Sequence, residues 1–225
     1  VLGLLDQDTR TLTPALVSDR LGLNRTTAHR YLQSLQRAGF LGATLGPGPL
    51  LDQLATLVSV RQQVLALAPA IMRQLSHQTG LTSVLSLLGR ARAVVTAVEE
   101  ASPGPIVLTV RVGTVLQPRA AQTRALLAFQ PDPAAVTRAH TSLTPREAAA
   151  ERDVLASVHR NRVAWADIDG DGVTVVAIPV FAANTVQAAM ALIGTTTMLP
   201  PSDHRSPGVR ALERAVHTLE SMVVS

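Results

Sequence analysis

The hydrophobic period of this chain changes once, and that change limits what it can fold into. Up to about Gln78 the apolar residues recur at the three-and-four spacing of helices. Beyond it, "LTSVLSLL", "RAVVTAVEE" and "IVLTVRV" are β-rich runs separated by Gly89 and by Ser102, Pro103, Gly104 and Pro105. Helical patterns return over about Ala121 to Phe129 and again after Thr144, where "TPRE" forms a capping box with proline at the first helical position. Three more strands are predicted in "VAWADI", "GVTVVAIPVFA" and "VQAAMALIG", and Ser206 with Pro207 announces a closing helix. The fold class expected is α+β. It comprises an all-helical head over residues 1–45, a linker helix over 46–60 and an α+β domain over 61–225 with an antiparallel sheet of about six strands. Within this scheme the linker "LLDQLATLVSV" precedes a separate, longer helix from roughly Gln62 to Gln78.

With 47% hydrophobic residues among 225, the chain has ample material for a core. Tryptophan and tyrosine occur once each and phenylalanine three times, which argues against a stacking platform for single-stranded nucleic acid. The formal charge is +4, and all 20 basic residues are arginine, whose planar fork matches phosphates and guanine edges. Cysteine is absent, which removes disulfides, thiolate catalysis and most zinc sites. No apolar run approaches the ~20 residues of a membrane span and no signal peptide is evident, so the expectation is a cytoplasmic protein without a membrane partner.

The head carries the sharpest local signals. Thr13 caps a short helix, Pro14 fits its first turn, and Gly22 supplies the left-handed residue that ends it. Asn24 then caps a second helix running to about Ala38. On that helix Ala28, Tyr31, Leu32 and Leu35 fall on the predicted buried face, while Thr26, Arg30, Gln33 and Arg37 lie opposite. Helix, glycine turn, helix is the arrangement that places a second helix in the DNA major groove, with base contacts from its first turns. Those turns hold Arg25, Thr26, Thr27, His29 and Arg30, and Asn24 with the helix N-terminus is placed to hold a phosphate. An ordinary solvated helix face has the same polarity pattern. The absence of any acid between Leu21 and Leu41 favours DNA. The following "GFLGATLGPGP", with four glycines and two prolines, reads as a loop or stunted hairpin.

Four segments together, "LGLNRTTAHRYLQSLQRAGFL", "LGPGPLLDQLA", "VGTVLQPRAAQTRALLAF" and "DGVTVVAIPVF", resemble in order and spacing the IclR-type transcriptional regulators. The resemblance implies a winged helix-turn-helix head, a linker helix and a GAF-like C-terminal domain that binds a small effector. It also implies a homodimer or homotetramer on a pseudo-palindromic double-stranded operator. Carried onto this chain, the DNA-contacting positions are Arg25, Thr26, Thr27 and Arg30. One departure is the uncharged "GATLGPG", where the family's wing usually carries charge.

In the family, the segment corresponding to "LQPRAAQTRALLAF" lines the effector pocket together with the last two strands. Gln122 and Thr123 are then the polar candidates, with Arg119, Asp169 and Asp171 at the rim. Val175, Ala177, Ala191 and Ile193 form walls without hydrogen-bonding side chains, which predicts a mainly apolar effector. "DIDGDG", Asp167 to Gly172, imitates the start of a calcium loop, but Ile178 stands where the twelfth-position Glu is required, so a polar turn is the better reading. The six histidines show no metal-ligand spacing, and neither a nucleophile elbow nor a phosphate loop is present. No metal, no cofactor and no catalytic residue is expected. The leading reading is a ligand-responsive, DNA-binding regulator, and the alternative is a hydrolase or transferase with a decorative helical head.

Overall fold

The computed structural model describes residues 1–5, 9–100, 110–168 and 172–223. These fall into two compact units, Val1–Ser59 and Val60–Ser225.

The head unit holds helices α1 (Pro14–Leu21) and α2 (Arg25–Arg37). Each begins as the sequence dictates. Thr13 Oγ1 accepts from the Leu16 amide at 3.1 Å and Asn24 Oδ1 from the Thr27 amide at 2.7 Å, satisfying amides that have no partner within their helices. Gly22 ends α1 at φ 64°, and Ser18 Oγ donates to the Leu23 carbonyl at 2.6 Å, pinning the turn between the helices. Leu12, Val17, Ala28, Leu32 and Leu41 form the core of the unit, with Leu35 packed at its edge. Tyr31 departs from the expected buried stripe: it is 52% exposed, because Ala28 and Leu32 already fill the space facing α1. The first residues form a single 3-10 turn, Leu2–Leu4.

The stretch after α2 is a minimal hairpin closed by a Leu41–Pro47 bridge and by the Gly42 amide on the Gly46 carbonyl at 2.9 Å. A Cβ at Gly48 would collide with the Gly39 carbonyl oxygen and lie 2.7 Å from the Leu41 carbonyl carbon. Both are backbone atoms and cannot swing aside. Gly48→Ala is therefore expected to destabilise the head by about 1–3 kcal/mol, the usual cost of overpacking, read in urea denaturation of the protein. A midpoint equal to the parent's would mean that the hairpin moves freely.

Helix α3 (Pro49–Thr79) is one continuous element of 31 residues, where the sequence suggested a linker helix and a second one. Pro69 lies in its interior; it removes one backbone donor without ending the helix, and Val64, Ala68, Met72 and Leu75 stay fully buried on both sides of it. Contrary to the sequence expectation, α3 is long and apolar enough to cross a membrane by length and composition, with a mean hydropathy of 1.4 over its most apolar window. Arg61, Gln62 and Gln63 occupy its middle, where hydrocarbon would impose a heavy penalty. The buried positions at four- and three-residue spacing fit a helix seated on a protein core.

The second unit is built on a five-stranded antiparallel sheet in the order β2-β1-β5-β4-β3. Its strands are β1 (Thr82–Leu88), β2 (Ala93–Glu99), β3 (Ala164–Ile168), β4 (Val173–Ala182) and β5 (Thr185–Thr195). The expected strand over "IVLTVRV" falls largely outside the described residues. Just beyond it, residues 113–116 pair briefly with the edge strand β2 through Gly113 N to Val95 O at 2.8 Å and Leu116 N to Ala93 O at 2.8 Å. Among the described residues the strand count is accordingly five instead of about six. Helices α4 (Ala121–Leu127), α5 (Pro133–Ala139), α6 (Pro145–Asn161) and α7 (Pro207–Val223) complete the unit. Helix α5 was not anticipated, although Asp132 caps it and Pro133 begins it.

Period-two alternation divides the sheet's side chains between two cores. Val176, Ile178, Val180, Met190 and Leu192 pack with Val64, Met72, Leu212 and Leu219 of α3 and α7. Val175, Ala177, Ala189, Ala191 and Ile193 face the other way, toward Ala121, Ala125 and Leu126 of α4 and Val158 of α6. Ala177 and Ala191 are register partners, and these small side chains under α4 let that helix lie close to the sheet. Where α4 ends, the sheet face is left open.

Candidate functional site

On α2, Asn24, Arg25, Thr26, His29, Arg30 and Gln33 are exposed and Thr27 is half-buried. Burying Ala28 and Leu32 against α1 leaves these residues no other orientation. Arg25 and Arg30 have no ion pair among the described residues, so their guanidinium groups are not committed elsewhere. Asn24 holds the Thr27 amide through its side-chain oxygen, leaving its NH2 as a donor at the helix start. Exposed Tyr31, one turn beyond Thr27, adds a phenol that the sequence pattern had assigned to the core.

In the second unit a cavity of about 870 Å³ lies against the open sheet face. Ala166 and Ile168 of β3, Val173 and Val175 of β4 and Ile193 of β5 form its apolar walls, and residues 116–122 with Ser142 and Leu143 close it. Of the expected effector residues, it brings together Arg119, Gln122, Val175 and Ile193. Thr123 and Ala191 are not among its walls. Thr123 is fully buried with Oγ1 accepting from the Ala93 amide at 3.2 Å, and Ala191 lies beneath α4 at the sheet centre. Asp169 and Asp171 lie outside the described residues. Leu116 and Gln117, which open the "LQPRAAQTRALLAF" segment, and Asp167, from "DIDGDG", also line the cavity, although none of the three was singled out as an effector residue.

The polar groups differ in how free they are. Gln122 is 3% exposed, and its amide has no hydrogen-bond partner among the described residues, so it is available to something inside the cavity. Arg124 is not available: its Nε and Nη2 grip the Glu151 carboxylate at 3.0 and 2.5 Å, while Nη1 donates to the Trp165 carbonyl at 2.6 Å. Arg119 is half-exposed at the rim and shares two acids, Glu147 at 2.8 Å and Glu151 at 3.6 Å. Thr144, through its backbone amide and then its hydroxyl, holds the Glu147 carboxyl below the ordinary carboxylate range, with Arg119 adding to the effect. A depressed pKa means a contribution present above the unfolded value and lost as acid titrates the folded carboxylate. Near neutral pH Arg119 is therefore largely neutralised already. Helix α4 has only seven residues and no side-chain cap, so its N-terminus makes no anion site by itself.

Among the described residues no group of three or more His, Cys, Asp or Glu side chains is arranged to hold a metal. The geometry offers an exposed, acid-free helix face in one unit and a half-open, mostly apolar cavity in the other.

Residues 1–43 match the family model of the IclR helix-turn-helix domain. Nearly the whole chain is similar in fold to several solved structures. An IclR transcriptional regulator from Alicyclobacillus acidocaldarius is 24% identical with a TM-score of 0.60, over 97% of this chain and 93% of that one. HmgR from Pseudomonas aeruginosa is 22% identical with a TM-score of 0.61, over 99% and 94%. An IclR homologue from Microbacterium hydrocarbonoxydans, solved in complex with 4-hydroxybenzoate, is 20% identical with a TM-score of 0.60, over 99% and 95%. No curated protein sequence matches significantly. The head is thus an IclR-type helix-turn-helix domain. Around it, the chain has the fold of the IclR transcriptional regulators along its full length.

Proposed function

We propose that this protein is a transcriptional regulator that reads an operator through α2 and answers to a small effector held in the cavity against β3, β4 and β5. The observation that carries the reading is the α2 face, where Arg25 and Arg30 stand exposed and unpaired among the described residues, on a helix whose other side is locked into the head core. Asn24, Thr26, Thr27, His29 and Gln33 belong to the same face, with base contacts from its first turns and a phosphate at Asn24 and the helix N-terminus. The test is a gel shift on DNA from upstream of the protein's own gene, repeated across a salt series. Specific binding that weakens steeply with salt is expected, since each neutralised phosphate releases counterions. Binding without sequence preference would overturn it. No observation favours the enzyme alternative.

A single head makes too few contacts for a selective site, and a two-fold dimer reads both halves of a pseudo-palindrome. Support comes from α3, whose Leu54 and Val58, one turn apart, are 42% and 56% exposed, and whose most apolar window is only 19% buried in the single chain. A second copy covering this stripe gives a homodimer, and pairing of dimers gives a homotetramer.

The effector we infer is a hydrophobic or aromatic compound, neutral or singly charged. The walls are aliphatic, Gln122 is the enclosed amide left free among the described residues, and Arg119 has acids beside it, so a second negative charge finds no cation. The 4-hydroxybenzoate bound to the Microbacterium homologue belongs to this class. Thermal-shift measurements with aromatic monocarboxylates and with short dicarboxylates separate the possibilities. The former should raise Tm at saturation, by an amount equivalent to ~2.7 kcal/mol at a hundred times Kd. A response to dicarboxylates alone contradicts this pocket assignment.

A further inference from the structure

A second concavity, of about 970 Å³, is bounded by α4, α5 and α6 and shares no residue with the effector cavity. Its floor is apolar, formed by Leu127, Val136 and Leu155 among others. Three polar groups along it have no use in the fold. His140, only 7% exposed, lines the groove, and its Nε2 is shut off from water without a hydrogen-bond partner among the described residues. Burial, ahead of any nearby charge, lowers the His140 pKa, so the imidazole is neutral at physiological pH. Arg152 and Arg160 lie on the groove side of α6, two helical turns apart, and neither has an ion pair among the described residues. Their neighbours behave differently: Arg119, Arg124, Arg138 and Arg162 are all matched with carboxylates.

A buried, unpartnered imidazole is costly to maintain, and two unpaired guanidinium groups flanking an apolar floor lack the acids that accompany structural arginines. We propose that the α4–α5–α6 groove is a second small-molecule site, taking an amphipathic organic anion with a ring body, a carboxylate and a hydroxyl. The ring lies on Leu127, Val136 and Leu155. The carboxylate is held by the arginine forks, which suit its planar geometry. The hydroxyl, able both to donate and to accept, satisfies His140 Nε2 in either tautomer once the ring turns toward the ligand. This site does not depend on the identity of the effector or on DNA binding.

The probe is 6-hydroxy-2-naphthoate, titrated calorimetrically into the full chain, with the histidine imidazoles followed by 15N NMR. His140 is assigned from the resonance lost in His140→Asn. Saturable binding with a shift of the His140 nitrogens is expected. Arg152→Gln/Arg160→Gln should weaken that binding at least tenfold while its melting curve matches the parent's, since both side chains are exposed. Three results overturn the proposal. One is undiminished affinity in the double variant. Another is an unmoved His140 resonance at saturation, which places the probe in the effector cavity only. The third is loss of self-association in the double variant by sedimentation, which makes the groove an interface between copies.

Discussion

Replacing Arg25 and Arg30 together by alanine should reduce operator binding to the level of unrelated DNA. A base-reading arginine is worth about 1–3 kcal/mol against the wrong base. Two such residues in each of two half-sites make four contacts, on the order of 4–12 kcal/mol if additive, while the gap between specific and non-specific binding is typically ~4–10 kcal/mol. The fold should not notice. Both side chains are exposed, and the core stripe of Ala28 and Leu32 is untouched, so urea denaturation of the double variant should overlay the parent's. Competition gel shifts with operator and scrambled DNA give the readout. An operator preference that survives in the double variant would remove α2 from the role of recognition helix.

That helix was legible in the sequence because its signals are local. Thr13, Gly22 and Asn24 act within a few residues of themselves, and each does in the fold what its position implies. Tyr31 was misplaced because helical periodicity gives a direction and not a distance: it lies on the edge of the buried stripe, and only the packing of α1 decides which side of that edge is dry. The same limit governs the C-terminal unit. Alternation along β4 and β5 gives the correct faces, so Val175 and Ile193 were legible as walls. Ala191 shares their face and sits under α4, a distinction set by where a separate helix ends. Thr123 looked like a ligand group and is spent on the Ala93 amide, thirty residues away. Arg124 could be counted in the sequence, but not its commitment to Glu151. The continuity of α3 through Pro69 was missed because proline is read as punctuation, whereas burial at Ala68 and Met72 overrides the local penalty.

Glu151→Ala should be among the most damaging single substitutions in the second unit, costing about 3–5 kcal/mol, the usual effect of removing one partner from a buried ion pair. The side chains of Glu151 and Arg124 are 6% and 15% exposed, so the guanidinium left behind keeps its charge with little access to water. The pair also has a structural role. Glu151 is on α6, Arg124 on α4, and the third arm of Arg124 reaches the Trp165 carbonyl on β3, so one carboxylate ties together three elements around the cavity. Removing both charges should be milder than removing one. Arg124→Met/Glu151→Leu fills the same space with apolar atoms and leaves no orphaned charge, and such replacements are often neutral or stabilising. Urea denaturation of the three variants gives the comparison, with Glu151→Ala lowest and the double variant close to the parent. The result bears on ligand choice as well as stability, because a singly charged or neutral effector is expected only while Arg124 is locked away. If Glu151→Ala unfolds like the parent, Arg124 is not held by that carboxylate.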